Sequence, residues 1–171
     1  MIPNLNDNAY GTTTLTLPSE RELVITHEFN APRKLVYEAL TTPEHVKNWY
    51  GPRVMKMVSC EMDVRVGGKW RFVTLAPDGS EHAFSGEYRE VVAPERIVNT
   101  ERYEPMAEHE YVATLTLEDR GGKTFLRNVL SYQSQEDRDG HVNSGMEPGM
   151  RETYQRLDEV LAAMVAEENS R

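Results

Sequence analysis

Cysteine is almost missing from this chain of 171 residues, with Cys60 its single example. One thiol cannot close an internal disulfide, so the cysteine usage gives no sign of a secreted, crosslinked scaffold. Basic residues are also short: 19 Lys and Arg face 28 Asp and Glu, for a formal net charge of -9. A nucleic-acid binder needs a basic face, and this balance argues against one. No run approaches the ~18 apolar residues of a membrane span. The opening MIPNLNDNAY lacks the basic start and apolar stretch of a signal peptide. His27, His45, His82, His109 and His141 show none of the tight spacings of zinc ligands. No Gly-x-Ser-x-Gly elbow is present, and Gly67-Gly68 and Gly121-Gly122 read as hairpin turns, not as a phosphate cradle. A cytoplasmic domain without metal or cofactor is expected, binding neither nucleic acid nor membrane.

What is present is hydrophobic periodicity. Residues 1–11 are polar and aperiodic and read as a flexible tail before a single domain over 12–168. Leu23, Ile25, His27 and Phe29 alternate with polar residues, a half-buried strand that Leu15 and Leu17 extend backwards across Pro18. Pro32 suits a first helical turn, because its missing N–H has no partner there anyway. Thr42-Pro43-Glu44 opens a second short helix, which carries Val46 and Trp49 and stops at Gly51-Pro52.

Strands then follow without a break. Val58, Cys60, Met62 and Val64 alternate strictly with polar residues. A two-residue turn at Gly67-Gly68 would put Trp70 and Phe72 on the charged face. A three-residue loop with Gly68 left-handed instead pairs Val64 with Trp70 and Met62 with Phe72, and sets Asp63 opposite Arg71. Pro77-Asp78-Gly79 is a strong turn, facing Thr74 to His82, Phe72 to Phe84 and Trp70 to Gly86. A glycine opposite an indole leaves space for the ring or for a ligand. Residues 97–103 form a strand of open register. A four-residue loop at Arg120-Gly121-Gly122 pairs Leu117 with Thr124, Ala113 with Asn128 and His109 with Tyr132. Ser134 to Asp137 resembles a capping box. A helical pattern runs from there to Glu168, with Met146, Met150, Tyr154, Leu157, Leu161 and Met164 as its apolar stripe. Pro148 kinks this helix or marks where its straight part begins.

These elements make an α+β fold in which a curved sheet grips a helix. About seven antiparallel strands curve around a long C-terminal helix on their concave face, and two short helices follow the first strand. The stretch Ala31-Pro32 with Leu35-Val36, Trp49 to Pro52, Asp63 to Phe72 (DVRVGGKWRF), Pro77-Asp78-Gly79, Gly86-Glu87-Tyr88 and Pro94-Glu95-Arg96 resembles the activator of heat-shock protein 90 ATPase homologue family. Ser144-Gly145-Met146 with Gly149-Met150 extends the likeness. That family is a branch of the START-like superfamily, whose members bind lipids, sterols or polyketides in a hollow and in a few cases cyclise them there. The resemblance therefore implies the same fold and a ligand hollow. It also allows a homodimer, and chaperone contact through the outer face.

The strand parity supplies the lining of that hollow. Met62, Trp70, Phe72, Thr74, His82, Phe84 and Tyr88 face inward from the first hairpins. His109, Tyr111, Asn128 and Tyr132 do so from the last hairpin, with Trp49, Met146, Met150 and Tyr154 contributed by the helices. A pocket is mostly apolar with a few placed polar groups, which this set provides. The expected function is binding of a small hydrophobic or aromatic ligand without turnover. The alternatives are a cyclase or hydrolase working by general acid–base chemistry through His82, His109 or Tyr88, and a chaperone accessory protein. No nucleophile is implied, since Cys60 sits mid-strand between Val58 and Met62.

Overall fold

The computed structural model describes residues 12–171, so the tail expected over 1–11 lies outside the described residues. Two strands open the fold: β1 (Thr14–Ser19) and β2 (Glu22–Phe29) pair antiparallel, with Leu15 opposite Ile25. Leu15 and Leu17 thus belong to a strand of their own, and the sheet has eight strands where seven were expected. The register slips between Thr16 and Ser19, around Pro18, which has no N–H to give to a ladder. The short helices α1 (Arg33–Thr41) and α2 (Pro43–Trp49) therefore follow the second strand, not the first. Pro32 is the N-cap of α1, one position earlier than expected, and Thr42 ends α1 while opening α2.

The remaining strands are β3 (Lys56–Met62), β4 (Lys69–Leu75), β5 (Glu81–Val92), β6 (Arg96–Tyr103), β7 (Tyr111–Arg120) and β8 (Lys123–Ser131). The sheet order is β1-β2-β8-β7-β6-β5-β4-β3. The excursion through α1 and α2 carries the chain to the far edge, and every later strand returns beside its predecessor. A 3-10 segment, Glu104–His109, joins β6 to β7.

Registers settle with two even-numbered slips. Met62 pairs with Trp70 and Cys60 with Phe72, so the β3–β4 loop is longer than expected and Glu61, not Asp63, opposes Arg71. Asp63 bonds Arg65 instead, Nε to Oδ2 at 2.8 Å. Gly67, not Gly68, is left-handed in that loop, at φ 82°. In the last hairpin Arg120 pairs with Lys123 across Gly121-Gly122, and Leu117 faces Leu126, Leu115 Asn128 and Ala113 Leu130. A slip of two leaves every side chain on its expected face, because side chains alternate with period two. The β4–β5 pairs are those expected. One residue does change face. A bulge between Met57 and Ser59 puts Met57 opposite Thr74 and leaves Val58 outside, 47% exposed.

The expected single C-terminal helix is two: α3 (Gln135–Val142) and α4 (Met146–Asn169). Ser134 caps α3, its hydroxyl accepting from the Asp137 N–H at 3.0 Å. Gly145, left-handed at φ 82°, separates the two, and Pro148 sits in the first turn of α4, where a missing N–H costs nothing.

Three apolar clusters fill the fold. In the first, Leu157, Leu161 and Met164 of α4 pack on Phe29, Leu117, Leu126 and the Val36 face of α1. In the second, Met150 packs on Leu15, Leu23, Ile25, Ala113 and Leu130. The third holds Trp70, Phe72, Tyr88 and Ile97 beneath Val46 of α2 and contains no residue of α4. The sheet is thus covered by α4 over one half and by α2 over the other, and β6 runs along the seam.

Candidate functional site

β6 sends Ile97, Asn99 and Glu101 toward the concave face. Ile97 joins the third cluster, Asn99 pairs with Ala113, and Glu101 pairs with Tyr111. Side chains directly opposite across a sheet lie on one face, so Glu101 shares the inner side with Tyr111. It belongs to none of the three apolar clusters. Its carboxyl lies deep in the protein, yet neighbouring side chains leave part of its surface uncovered. Burial pushes the carboxyl up to about 7, against which hydrogen bonding from the Tyr111 hydroxyl works.

Four phenols feel the charge of this carboxyl: Tyr50 just after α2, Tyr111 on β7, Tyr132 just after β8 and Tyr154 on α4. Burial drives Tyr50 and Tyr111 well above the usual tyrosine range, and the charge of Glu101 adds to it. Tyr132 and Tyr154 are raised by burial too and also feel the Glu101 charge, with Arg138 opposing at Tyr132 and the Asn128 amide at Tyr154. The rings are in contact in pairs. Tyr50 meets Phe72 edge-on at 4.9 Å, and Tyr111 lies 5.0 Å from Tyr132. The Tyr132 hydroxyl and His141 Nδ1 share a hydrogen bond of 2.5 Å, and burial holds that imidazole below the usual histidine range. Asn128 Oδ1 is buried and has no partner, the one such side-chain atom among the described residues.

The loop carrying Tyr50 is clamped to α4. The Arg156 guanidinium donates to the carbonyls of Asn48, Tyr50 and Gly51, at 2.9, 3.2 and 2.7 Å, answering orphan acceptors at the end of α2. Glu152 accepts the Arg53 backbone N–H at 2.5 Å, and Pro52 packs on Gly149, whose added Cβ would stand 3.4 Å from it.

The residues expected to line the hollow divide into three groups. Trp70, Phe72, Thr74, Tyr88, Tyr132 and Met150 are inward and buried. Trp49, Met62, Phe84, Tyr111, Asn128, Met146 and Tyr154 are inward and only partly covered. Trp49 is turned toward α1, its indole N–H on the Ala39 carbonyl at 2.9 Å. His82 is partly covered and held by Ser80 at 3.1 Å and the Tyr103 hydroxyl at 2.9 Å. His109 is corrected: it lies in the 3-10 segment, not in β7, and is exposed beside Asp137 at 2.8 Å. With the last hairpin slipped by two residues, position 109 falls opposite Ser134, which lies beyond β8 and caps α3, so His109 has no strand partner and leaves the face. The space opposite Trp70 is taken by its own ring. A Cβ on Gly86 would stand 1.8 Å from the Thr100 carbonyl oxygen, and the indole N–H reaches that carbonyl at 3.2 Å.

Sequence reasoning missed Glu101, Tyr50 and His141. Tyr50 ends a helix and His141 lies on a polar one, so neither carries a periodic signal. Glu101 was readable only as a charge within a strand whose register is open. Cys60 has its thiol pushed up to about 11 by burial. No group of three or more His, Cys, Asp or Glu among the described residues could hold a metal ion. An open cleft between α1 and the end of α4, lined by Lys34, Glu38, Met164 and Glu168 among others, contains none of these inner-face residues.

A curved, unclosed antiparallel sheet gripping a long C-terminal helix defines the START-like helix-grip class. Within it the chain belongs to the family described as "Activator of Hsp90 ATPase homolog 1-like protein", which matches residues 30–162. Solved structures agree. A Rhodobacter sphaeroides protein is 29% identical over 88% of this chain and 98% of its own, with a TM-score of 0.81. A Nitrosomonas europaea protein is 26% identical over 88% and 99%, with a TM-score of 0.79. An Arthrobacter aurescens protein is 25% identical over 88% and 91%, with a TM-score of 0.78. No curated protein matches the chain.

Proposed function

We propose that the seam between the two covers is a hollow that binds a small, largely apolar or aromatic molecule. The observation that carries this reading is Glu101, a carboxyl deep in the protein that its neighbours leave partly uncovered among Tyr50, Tyr111, Tyr132 and Tyr154. A filled core would close over such a group or exclude it, since burying a charge without a partner is costly. Rings provide apolar contact area, and the Glu101 carboxyl and Asn128 Oδ1 are the few polar groups that orient a ligand.

General acid–base chemistry in the same place has one observation in its favour. Glu101 beside Tyr111 is a polar pair whose carboxyl titrates near neutrality, as a catalytic acid or base must. Native mass spectrometry of freshly purified protein, followed by organic extraction, tests the binding reading. A co-purifying apolar or aromatic molecule is the expected result. Protein that emerges empty, and whose Glu101 and Tyr154 resonances do not shift on adding aromatic probes, would overturn it.

A further inference from the structure

We propose that the hollow is selective for an organic cation: an ammonium group on an apolar or aromatic body, with the Glu101 carboxylate as counter-ion and the phenols of Tyr50, Tyr111 and Tyr154 around it. This rests on the ligand-binding reading above and specifies its ligand class.

The first ground is a missing cation. The deep guanidiniums of this chain all have acceptors. Arg138 bonds Asp139 Oδ1 at 2.8 Å and the Ser19 carbonyl, and Arg151 bonds Glu147 at 2.9 Å and the Thr13 carbonyl at 2.8 Å. Glu101 has no such answer. Among the described residues its charge is met by the Tyr111 hydroxyl alone, with no Arg, Lys or His contributing. A deep carboxyl without a cation beside it keeps its proton or takes a counter-charge, so where Glu101 ionises the complementary charge is left for a ligand to bring.

The second ground is the surround. Aromatic rings attract a cation through their electron-rich faces, most strongly where water is excluded. Rings with a carboxylate among them form the usual environment for an ammonium headgroup. Asn128 Oδ1, buried without a donor and next to Tyr154, is a further acceptor in the same region. An anionic ligand would face Glu101 with no positive group to offset it. The formal net charge of -9 also draws cations toward the protein.

A neutral ligand carrying a carbonyl makes the opposite demand, because only a protonated Glu101 can donate to it. The pH dependence therefore separates the two. The probes are 2-naphthylmethylammonium and its uncharged counterpart 2-naphthylmethanol, titrated calorimetrically into wild type and Glu101→Gln at about pH 5.5 and about pH 8. The expected result is a preference for the cation of on the order of tenfold or more in wild type at the higher pH. That preference shrinks at the lower pH and disappears in Glu101→Gln, which a melting curve shows to be folded. Equal affinity for both probes, or a preference unchanged by Glu101→Gln, overturns the cation proposal and leaves the hollow standing. If folded wild-type protein binds neither probe, the hollow falls and the cation proposal with it.

Discussion

Replacing Glu101 by glutamine should stabilise the empty protein, and should do so only above acidic pH. The folded carboxyl titrates near 7, against an ordinary value of 4.5. Below the lower value both folded and unfolded chains hold the proton, and the group has no differential effect. Between the two values the unfolded chain releases its proton while the folded one keeps it. The unfolded state then binds fewer protons, so stability falls as pH rises. Above the higher value both states are ionised and the penalty is constant. At ~1.4 kcal/mol per pKa unit, the full shift corresponds to roughly 3 kcal/mol. Water reaching the uncovered part of the side chain offsets some of this, so about 1–3 kcal/mol is expected. Urea unfolding followed by tryptophan fluorescence at several pH values measures it, since Trp49 and Trp70 report on both covers. The difference between Glu101→Gln and wild type cancels every other titrating group. It should grow from near zero at about pH 4 to its plateau near pH 8. A difference that is flat with pH, or that favours wild type as pH rises, would refute the deep placement of this carboxyl.

Three further outcomes follow from the geometry. Gly86→Ala places a Cβ 1.8 Å from the Thr100 carbonyl oxygen and 2.7 Å from Trp70 Nε1, so β5 and β6 must separate. A loss of about 2–3 kcal/mol is expected, seen as a melting temperature lower by roughly 4–12 °C, and an unchanged melt would contradict the register. Arg156→Met removes donors from three carbonyls at the end of α2, and about 1–3 kcal/mol should be lost, with the signals of Tyr50 shifting most in NMR spectra. Shifts confined to α4 would show that the clamp does not position that loop. Cys60, with its thiol pushed up to about 11, should react with iodoacetamide about a hundredfold more slowly in native than in urea-unfolded protein at pH ~8. Equal rates would place it in open solvent.

Facing was legible because it depends on parity alone. Trp70 and Phe72 had to share one side whatever the loop, since the alternative turned them to the charged face, and they are 6% and 8% exposed. Two hairpins differed from expectation by two residues, and these slips by themselves changed no face, because strand side chains repeat every two residues. Turn chemistry was equally local. Pro77-Asp78-Gly79 placed Thr74 opposite His82, and Ser134 caps a helix as expected, though a short one that ends before Gly145.

The seam itself needed the folded chain. Whether a glutamate within a strand points to water or to the interior depends on what lies over it, and that cover comes from α2 and α4, some fifty residues away on either side of β6 in the chain. Pattern reading assigns a charge to the solvent face, so Glu101 gave no signal while the register of its strand stayed open. The bulge at Val58 and the displacement of His109 have the same character, since each depends on how a neighbouring strand pairs and not on the alternation of its own residues. Composition and periodicity by themselves determined the class of fold and most of the residues that face inward. Only tertiary packing decided which inward residues were sealed into a core and which were left beside a deep carboxyl, because burial is a property of the assembled layers.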